Sequence, residues 1–314
     1  MRIKGFIRGM VLLLVCSLSF GCMKQESVNQ IEGNRGNTFT DSLGQTIQIT
    51  NPKRVVALMG SFAEIWLESG GTLVGVTDDA FDKRGAQPET DTITVGAYNN
   101  PNLETILALN PDLVLLSSET REHVALKKPL EQAGIQTAFF QVTDFDDYLN
   151  MLKICTDITK RPDVYEKNGK KVETQIQHMI TERKKVKQSP SVLFLITYSG
   201  GARVENSKTM TGKMLMDLGC KNIADQNASL LKEFNMEAIL KENPDFIFVI
   251  PMGNDDELAR KNLIESIEKN PAWNGLTAVK NNRYILLPKE KFLYKPNARW
   301  GESYEYLKEI LDRK

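Results

Sequence analysis

Asn102-Leu-Glu-Thr-Ile-Leu-Ala-Leu-Asn-Pro-Asp-Leu-Val-Leu-Leu116 returns 133 residues later as Asn235-Met-Glu-Ala-Ile-Leu-Lys-Glu-Asn-Pro-Asp-Phe-Ile-Phe-Val249. Seven of the fifteen positions are identical. A solenoid needs many copies at a fixed period. One recurrence at this distance predicts two similar lobes instead. Each copy reads as a helix that stops at Asn-Pro, a turn at Asp, and a buried strand. Proline disfavours helix at the residue before it, so Asn110 and Asn243 are expected to close their helices. Each copy also sets a glutamate, Glu104 or Glu237, in the first turn behind an asparagine cap.

Outward from the first copy, apolar runs alternate with helical patterns. A hairpin is expected over 39–56, with its turn at Leu43-Gly44. Strands are expected at 55–59, 73–76, 113–116 and 136–141, and helices at 61–68, 103–109 and 122–132. The second half repeats the scheme, with strands at 192–197, 246–250 and 283–287 and helices at 210–218, 258–266 and 302–312. Strands alternating with helices at this spacing imply parallel sheets covered on both faces. The fold class is therefore α/β, with two Rossmann-like lobes. Between them, 145–188 has one glycine, one proline and heavy charge. It reads as helices over 146–158 and 164–186, the second about 34 Å long at 1.5 Å per residue. A helix there acts as a rigid strut, because bending it breaks backbone hydrogen bonds. The expected organisation is a signal peptide 1–21, a tether 22–37, an N-terminal lobe 38–160, a connecting helix 161–188 and a C-terminal lobe 189–314.

The first residues read as an export signal: Arg2, Lys4 and Arg8, then a short apolar run, then Gly21-Cys22. The run is too short to remain as a membrane span. Gly before Cys resembles the lipobox of bacterial lipoproteins, which implies diacylation of Cys22. Leu18 stands four residues before the cysteine, where that pattern has leucine three before, and an ordinary signal peptide cut nearby is the alternative. The polar stretch 23–36 reads as a flexible tether. Lysine plus arginine and aspartate plus glutamate both number 40, so nothing favours nucleic acid as a partner. Cys155 and Cys220 fall in different regions and read as inert buried thiols.

Several motifs together resemble the iron-siderophore, haem and vitamin B12 binding proteins of ABC importers. They are Pro52-Lys-Arg-Val-Val-Ala-Leu58, Phe62-Ala-Glu-Ile-Trp-Leu-Glu-Ser-Gly-Gly-Thr-Leu-Val-Gly-Val76, Val95-Gly96, both copies of the repeat, and Trp273-Asn-Gly-Leu-Thr-Ala-Val-Lys-Asn-Asn-Arg-Tyr284. The resemblance covers essentially 38–311. It implies two Rossmann-like lobes joined by one long helix, with a ligand cleft between them. It also implies a lipid-anchored protein on the outer face of the cytoplasmic membrane or in the periplasm. Such a protein is a monomer with no intrinsic cofactor that delivers a metal chelate, a ferric siderophore or haem, to a two-subunit permease with a cytoplasmic ATPase. By position, Glu104 and Glu237 become the residues that meet arginines of the permease. Complementing the helix dipole, for about 0.3–1 kcal/mol each, is the competing explanation.

Ligands of open α/β sheets lie beyond the carboxyl ends of the strands. By that rule the expected ligand residues are Met59, Ser61, Phe62 and Tyr98 in the first lobe and Tyr198, Met252, Tyr294, Arg299 and Trp300 in the second. Tyr98 and Tyr198 face each other in this scheme, either as phenolates ligating haem iron or as phenols hydrogen-bonded to a siderophore. The inventory suits an anionic or planar complex larger than a bare ion. His123 and His178 fall on helices and read as satisfied or solvated side chains, too few for a manganese or zinc site. No nucleophile–histidine pair, G-x-S-x-G elbow or Walker loop supports catalysis, so no catalytic residue is expected. Corrinoid binding by the same mechanism, or a haem-binding surface lipoprotein without a permease, are the alternatives.

Overall fold

The computed structural model describes residues 36–82, 91–198, 201–253 and 256–313. The export signal, Cys22 and the tether lie outside them.

Five parallel strands make the first sheet. They are β3 (Val55–Ala57), β4 (Gly75–Val76), β5 (Ile93–Thr94), β8 (Leu113–Ser117) and β9 (Gln136–Phe140), in the order β5-β4-β3-β8-β9. A hairpin of β1 (Asn37–Thr40) and β2 (Thr46–Ile49) precedes it, and a two-residue-per-strand hairpin of β6 (Gly96–Ala97) and β7 (Asn100–Pro101) follows β5. Asp41 turns the first hairpin by accepting from the Leu43 and Gln45 amides. The same carboxylate accepts from the Phe139 amide, which docks the hairpin on the β9 edge.

The second sheet contains β10 (Ser191–Tyr198), β11 (Gly201–Glu205), β12 (Lys221–Asn222), β13 (Phe246–Pro251) and β14 (Tyr284–Leu286). Its order is β11-β10-β13-β14, with β12 parallel to β10 on the β11 side. β11 runs antiparallel to β10. That strand and the β6–β7 hairpin were not expected from sequence, because neither carries a periodic apolar run long enough to read.

The repeat forms matching structures. Its helices are Leu103–Ala108 and Met236–Glu242. Asn102 and Asn235 cap them, accepting from the Thr105 and Ala238 amides. Asn110 and Asn243 both adopt positive φ, 44° and 42°, so each copy closes at the asparagine before its proline. The aspartates then tie each copy to the first strand of its own sheet. Asp112 accepts from the Lys53 and Arg54 amides, and Asp245 from the Ser191 amide and hydroxyl. Asn-Pro-Asp is thus a structural clasp in both lobes.

The connection is helical. Phe145–Thr159 ends at Lys160, whose φ is 61°. A second helix begins at Pro162–Val164, widens into a π turn over Tyr165–Lys170, and continues as Lys171–Lys184. Gly169 lies within the π turn, and a Cβ there would stand 2.8 Å from Leu149 Cδ1. The missing side chain lets the two helices approach closely.

Strand residues alternate between two cores, as expected of parallel sheets covered on both faces. Val55, Ala57, Leu113 and Leu115 on the first sheet, and Val192, Phe194, Phe248 and Ile250 on the second, share one apolar cluster. Tyr148, Met151, Leu152, Ile176 and Ile180 of the connecting helices fill it. The opposite faces have separate clusters, around Val56, Leu58, Val114 and Leu116 in one lobe and Leu193, Leu195, Ile247 and Val249 in the other. One continuous core therefore runs from lobe to lobe through the connector. Cys155 and Cys220 are both buried, unpaired thiols, pushed up to about 12 by burial. They do not approach each other as a disulfide.

Candidate functional site

The chain leaves β3 to build β4 and β5 on one side, then returns to build β8 and β9 on the other. The switch point of the first sheet is therefore the carboxyl end of β3 beside β8. In the second sheet the same reversal falls between β10 and β13. Crevices at such points are the ligand positions of open α/β sheets. Met59, Gly60 and Ser61 follow β3, while Tyr198 and Met252 end adjacent strands of the second sheet.

In the first lobe this edge is held by two side chains, the half-buried Asp79 and the buried His123. Asp79 accepts from the Gly60 amide at 2.8 Å and from the Thr77 hydroxyl at 2.6 Å, joining the loops after β3 and β4. A Cβ on Gly60 would stand 2.7 Å from the Ala80 nitrogen, so the close approach of these loops requires glycine. His123 is fully buried in the first turn of helix Arg121–Gln132. Its Nδ1 accepts from the Ser117 amide at 3.0 Å, and its Nε2 lies 2.6 Å from the Tyr98 carbonyl oxygen. Burial lowers its pKa, against the Tyr98 hydrogen bond and the charges of Asp79 and Glu122. It is the satisfied histidine of the two. His178 is exposed, 3.9 Å from Glu182.

Tyr98 is 45% exposed at the tip of the β6–β7 hairpin, and Met252 is also exposed. Tyr198 and Met59 are half-buried. Met252 donates its amide to Thr197, next to Tyr198, so these two second-lobe residues are neighbours. Tyr294 is half-buried, with its amide donated to Lys289. No ring contact joins Tyr98 to Tyr198.

Two expectations are corrected. Phe62 is 1% exposed and meets Phe140 edge-on at 6.1 Å, and Trp300 is 1% exposed and meets Phe145 edge-on at 6.0 Å. Both rings belong to the shared core and offer no surface to a ligand. They follow strand-end loops in the chain, but each lies on a helix whose inner face turns them inward. Ser61 is buried as well, with its hydroxyl unpartnered.

Sequence reasoning also missed Asn297. It is fully buried with a positive φ of 51°, and its amide donates to the Ser61 carbonyl at 3.0 Å and to Glu64 Oε2 at 2.7 Å. Arg299 reaches Glu64 Oε1 at 3.5 Å. These contacts join the lobes directly beside the first switch point. A left-handed asparagine between Pro and Ala-Arg-Trp was the available signal. Arg299, expected as a ligand residue, thus also forms an interlobe ion pair.

Glu104 and Glu237 are exposed and have no ion-pair or hydrogen-bond partner among the described residues. A helix between parallel strands runs antiparallel to them, so its amino end lies at their carboxyl edge. Glu104 also follows the Tyr98 hairpin directly, with the Asn102 amide bonded to Val95. Both glutamates therefore stand at the edge that carries the candidate ligand loops.

A cavity of about 740 Å³ lies at the opposite, amino-terminal edge of the second sheet, beside Arg183, Asp245 and Arg283. Arg183 there pairs with Asp312, and Asp245 with Ser191. Among the described residues no group of three or more His, Cys, Asp or Glu is arranged to hold a metal ion.

A profile of the periplasmic binding protein family matches residues 55–291. The chain belongs to that family, whose members are binding proteins. The Fe(3+)-citrate-binding protein YfmC of Bacillus subtilis (strain 168) is 26% identical over 285 residues, 87% of this chain and 86% of that one. Two solved structures share the fold. Staphylococcus aureus IsdE complexed with heme aligns with a TM-score of 0.67 at 19% identity, covering 83% of this chain and 99% of that one. S. aureus SirA complexed with staphyloferrin B aligns with a TM-score of 0.66 at 24% identity, covering 88% and 97%.

Proposed function

We propose that the chain is an extracytoplasmic solute-binding lipoprotein of an ABC importer, which captures an iron complex and hands it to a membrane permease. The observation that carries delivery is the glutamate pair. Glu104 and Glu237 occupy equivalent first-turn positions of the repeated helices, exposed, on the same edge as the ligand loops. A helix dipole accounts for one acidic residue in each first turn. It does not account for two carboxylates, unpartnered among the described residues, at equivalent places on the carboxyl edges of both sheets. Rim charges of this kind act on orientation and encounter rate more than on affinity.

A ferric siderophore, ferric citrate or haem is the ligand class favoured by the named relatives. Tyr98, Tyr198, Met59, Met252, Tyr294 and Arg299 are the residues that would meet it, with no intrinsic cofactor and no nucleic acid. Diacylation of Cys22 supplies the two chains that stable anchoring needs. The protein acts as a monomer at the outer face of the membrane, opposite a permease of two subunits with its ATPase.

The test has two arms. Soluble protein lacking the first 22 residues is screened with ferric citrate, haemin, ferric siderophores and cobalamin for thermal stabilisation. Ligand at 100 times its Kd adds about 2.7 kcal/mol. Stabilisation by cobalamin alone moves the reading to corrinoids. The Glu104→Ala, Glu237→Ala double variant is then assayed for ligand binding and for uptake in vesicles carrying the permease. Retained affinity with lost uptake is expected, with each single variant milder. Full uptake by the double variant overturns the docking assignment.

A further inference from the structure

The β6–β7 hairpin carries Tyr98 at its tip, beside the paired Ala97 and Asn100, and two further bonds hold its base. The Asn102 amide donates to Val95 at 2.7 Å and the Asp78 amide to Gly96 at 3.1 Å. The tip itself is reached by His123. Because the Ser117 amide donates to Nδ1, that nitrogen carries no proton, and the imidazole proton is on Nε2, facing the Tyr98 carbonyl. A single neutral tautomer satisfies both bonds. The imidazole is a rigid spacer between the carboxyl end of β8 and the hairpin tip. Its surroundings fix it further: the helix Arg121–Gln132 packs on β7, β8 and β9, and the charges that act on the ring are those of Asp79 from the loop after β4 and Glu122 from its own helix.

We propose that His123 is a positioning residue for ligand capture, its Nε2–H holding the Tyr98 turn at the mouth of the cleft. This rests on the reading of Tyr98 as a ligand residue. The geometry separates the two bonds by chemistry. Asparagine at 123 keeps an acceptor near Nδ1 and loses the donor at Nε2. Glutamine keeps a donor near Nε2 and loses the acceptor at Nδ1. If the tether to Tyr98 matters, glutamine rescues and asparagine does not.

Three measurements on the soluble, full-length-fold protein decide this. Nitrogen-15 spectra of the wild type are expected to report only the Nε2–H tautomer of His123. Hydrogen exchange without ligand is expected to accelerate over residues 96–102 in His123→Asn but not in His123→Gln. Affinity for haemin or ferric citrate, whichever binds the wild type, is expected to fall roughly threefold to tenfold in His123→Asn, the scale of one lost hydrogen bond, and to stay near wild type in His123→Gln. Thermal midpoints are recorded for both variants, so that a general loss of fold is recognised by faster exchange throughout the sheet. An Nδ1–H tautomer, equal exchange over 96–102 in the two variants, or equal affinities each overturn the proposal. If neither probe binds the wild type, affinity is read with whichever ferric siderophore stabilises it; if none does, the ligand reading fails by itself, while the tautomer and exchange results still decide the tether.

Discussion

The two lobes agree at one edge of their sheets and differ at the other. At the amino-terminal edge, Asp112 and Asp245 clasp the first strand of their sheets through the same Asn-Pro-Asp turn. At the carboxyl edge the first lobe fixes its loops with two side chains, the half-buried Asp79 and the buried His123. The second lobe uses the backbone bond from Met252 to Thr197 and a long lysine, with Lys289 Nζ donating to the Gly253 carbonyl at 2.7 Å. The clasp does the same structural work in each lobe, tying the turn to the first strand of its sheet. On the proposed function the carboxyl edges need not be alike in both lobes, because each would meet a different side of the same solute.

The most severe test of this comparison concerns the core the lobes share. Trp300→Ala is expected to cost about 3–5 kcal/mol, the usual range for removing a buried aromatic ring. Urea unfolding followed by fluorescence and circular dichroism should retain a single transition, because Trp300 packs on Phe145 across the connector. Two separated transitions would mean that the lobes fold independently.

Next in size is the clasp. Asp245→Ala leaves the Ser191 amide and hydroxyl without their acceptor, at a cost of about 1–3 kcal/mol. Asp112→Ala should cost less, since Asp112 is exposed and water replaces it more readily. Equal losses would imply that burial does not distinguish the two copies.

A smaller effect separates the carboxyl edges. His123 is held below its ordinary value of 6.5 by burial. The folded state therefore binds its proton less tightly than the unfolded state. Stability is intact above about 6.5, falls as pH drops below it, and levels off once pH passes the depressed folded value. Thermal midpoints of wild type and His123→Gln, compared from pH 7.5 to 5, should converge on acidification, because the variant has no group to titrate there. A constant difference between the two would contradict the neutral, buried imidazole.

The smallest expected change is in shape. Because one core and the Asn297 bonds to Ser61 and Glu64 join the lobes, ligand should alter the radius of gyration little. Small-angle scattering checks this, and a contraction of several ångströms would rule out a strut-like connector.

Much of the fold was legible because parallel strands are apolar throughout and their helices have clear stops. Asn110, Pro111, Asn243 and Pro244 marked two of those stops directly. The site was less legible. Position after a strand identifies a loop at the correct edge, but not the direction of each side chain. Phe62 and Trp300 satisfied the positional rule and turned into the core. Asn297 and His123 act through contacts 236 and 25 residues away in sequence, to Ser61 and Tyr98.

The sequence by itself determined the two-lobed α/β plan and the helical connector, since periodicity, capping and turn chemistry are local, and its motifs carried the resemblance to the family that matches residues 55–291. The tertiary structure alone decided which side chains turn into the core, that the lobes share one core, and that both glutamates stand at the carboxyl edges of their sheets. Those properties depend on how helices and strands are stacked, and stacking is decided by long-range burial that no local window of residues contains.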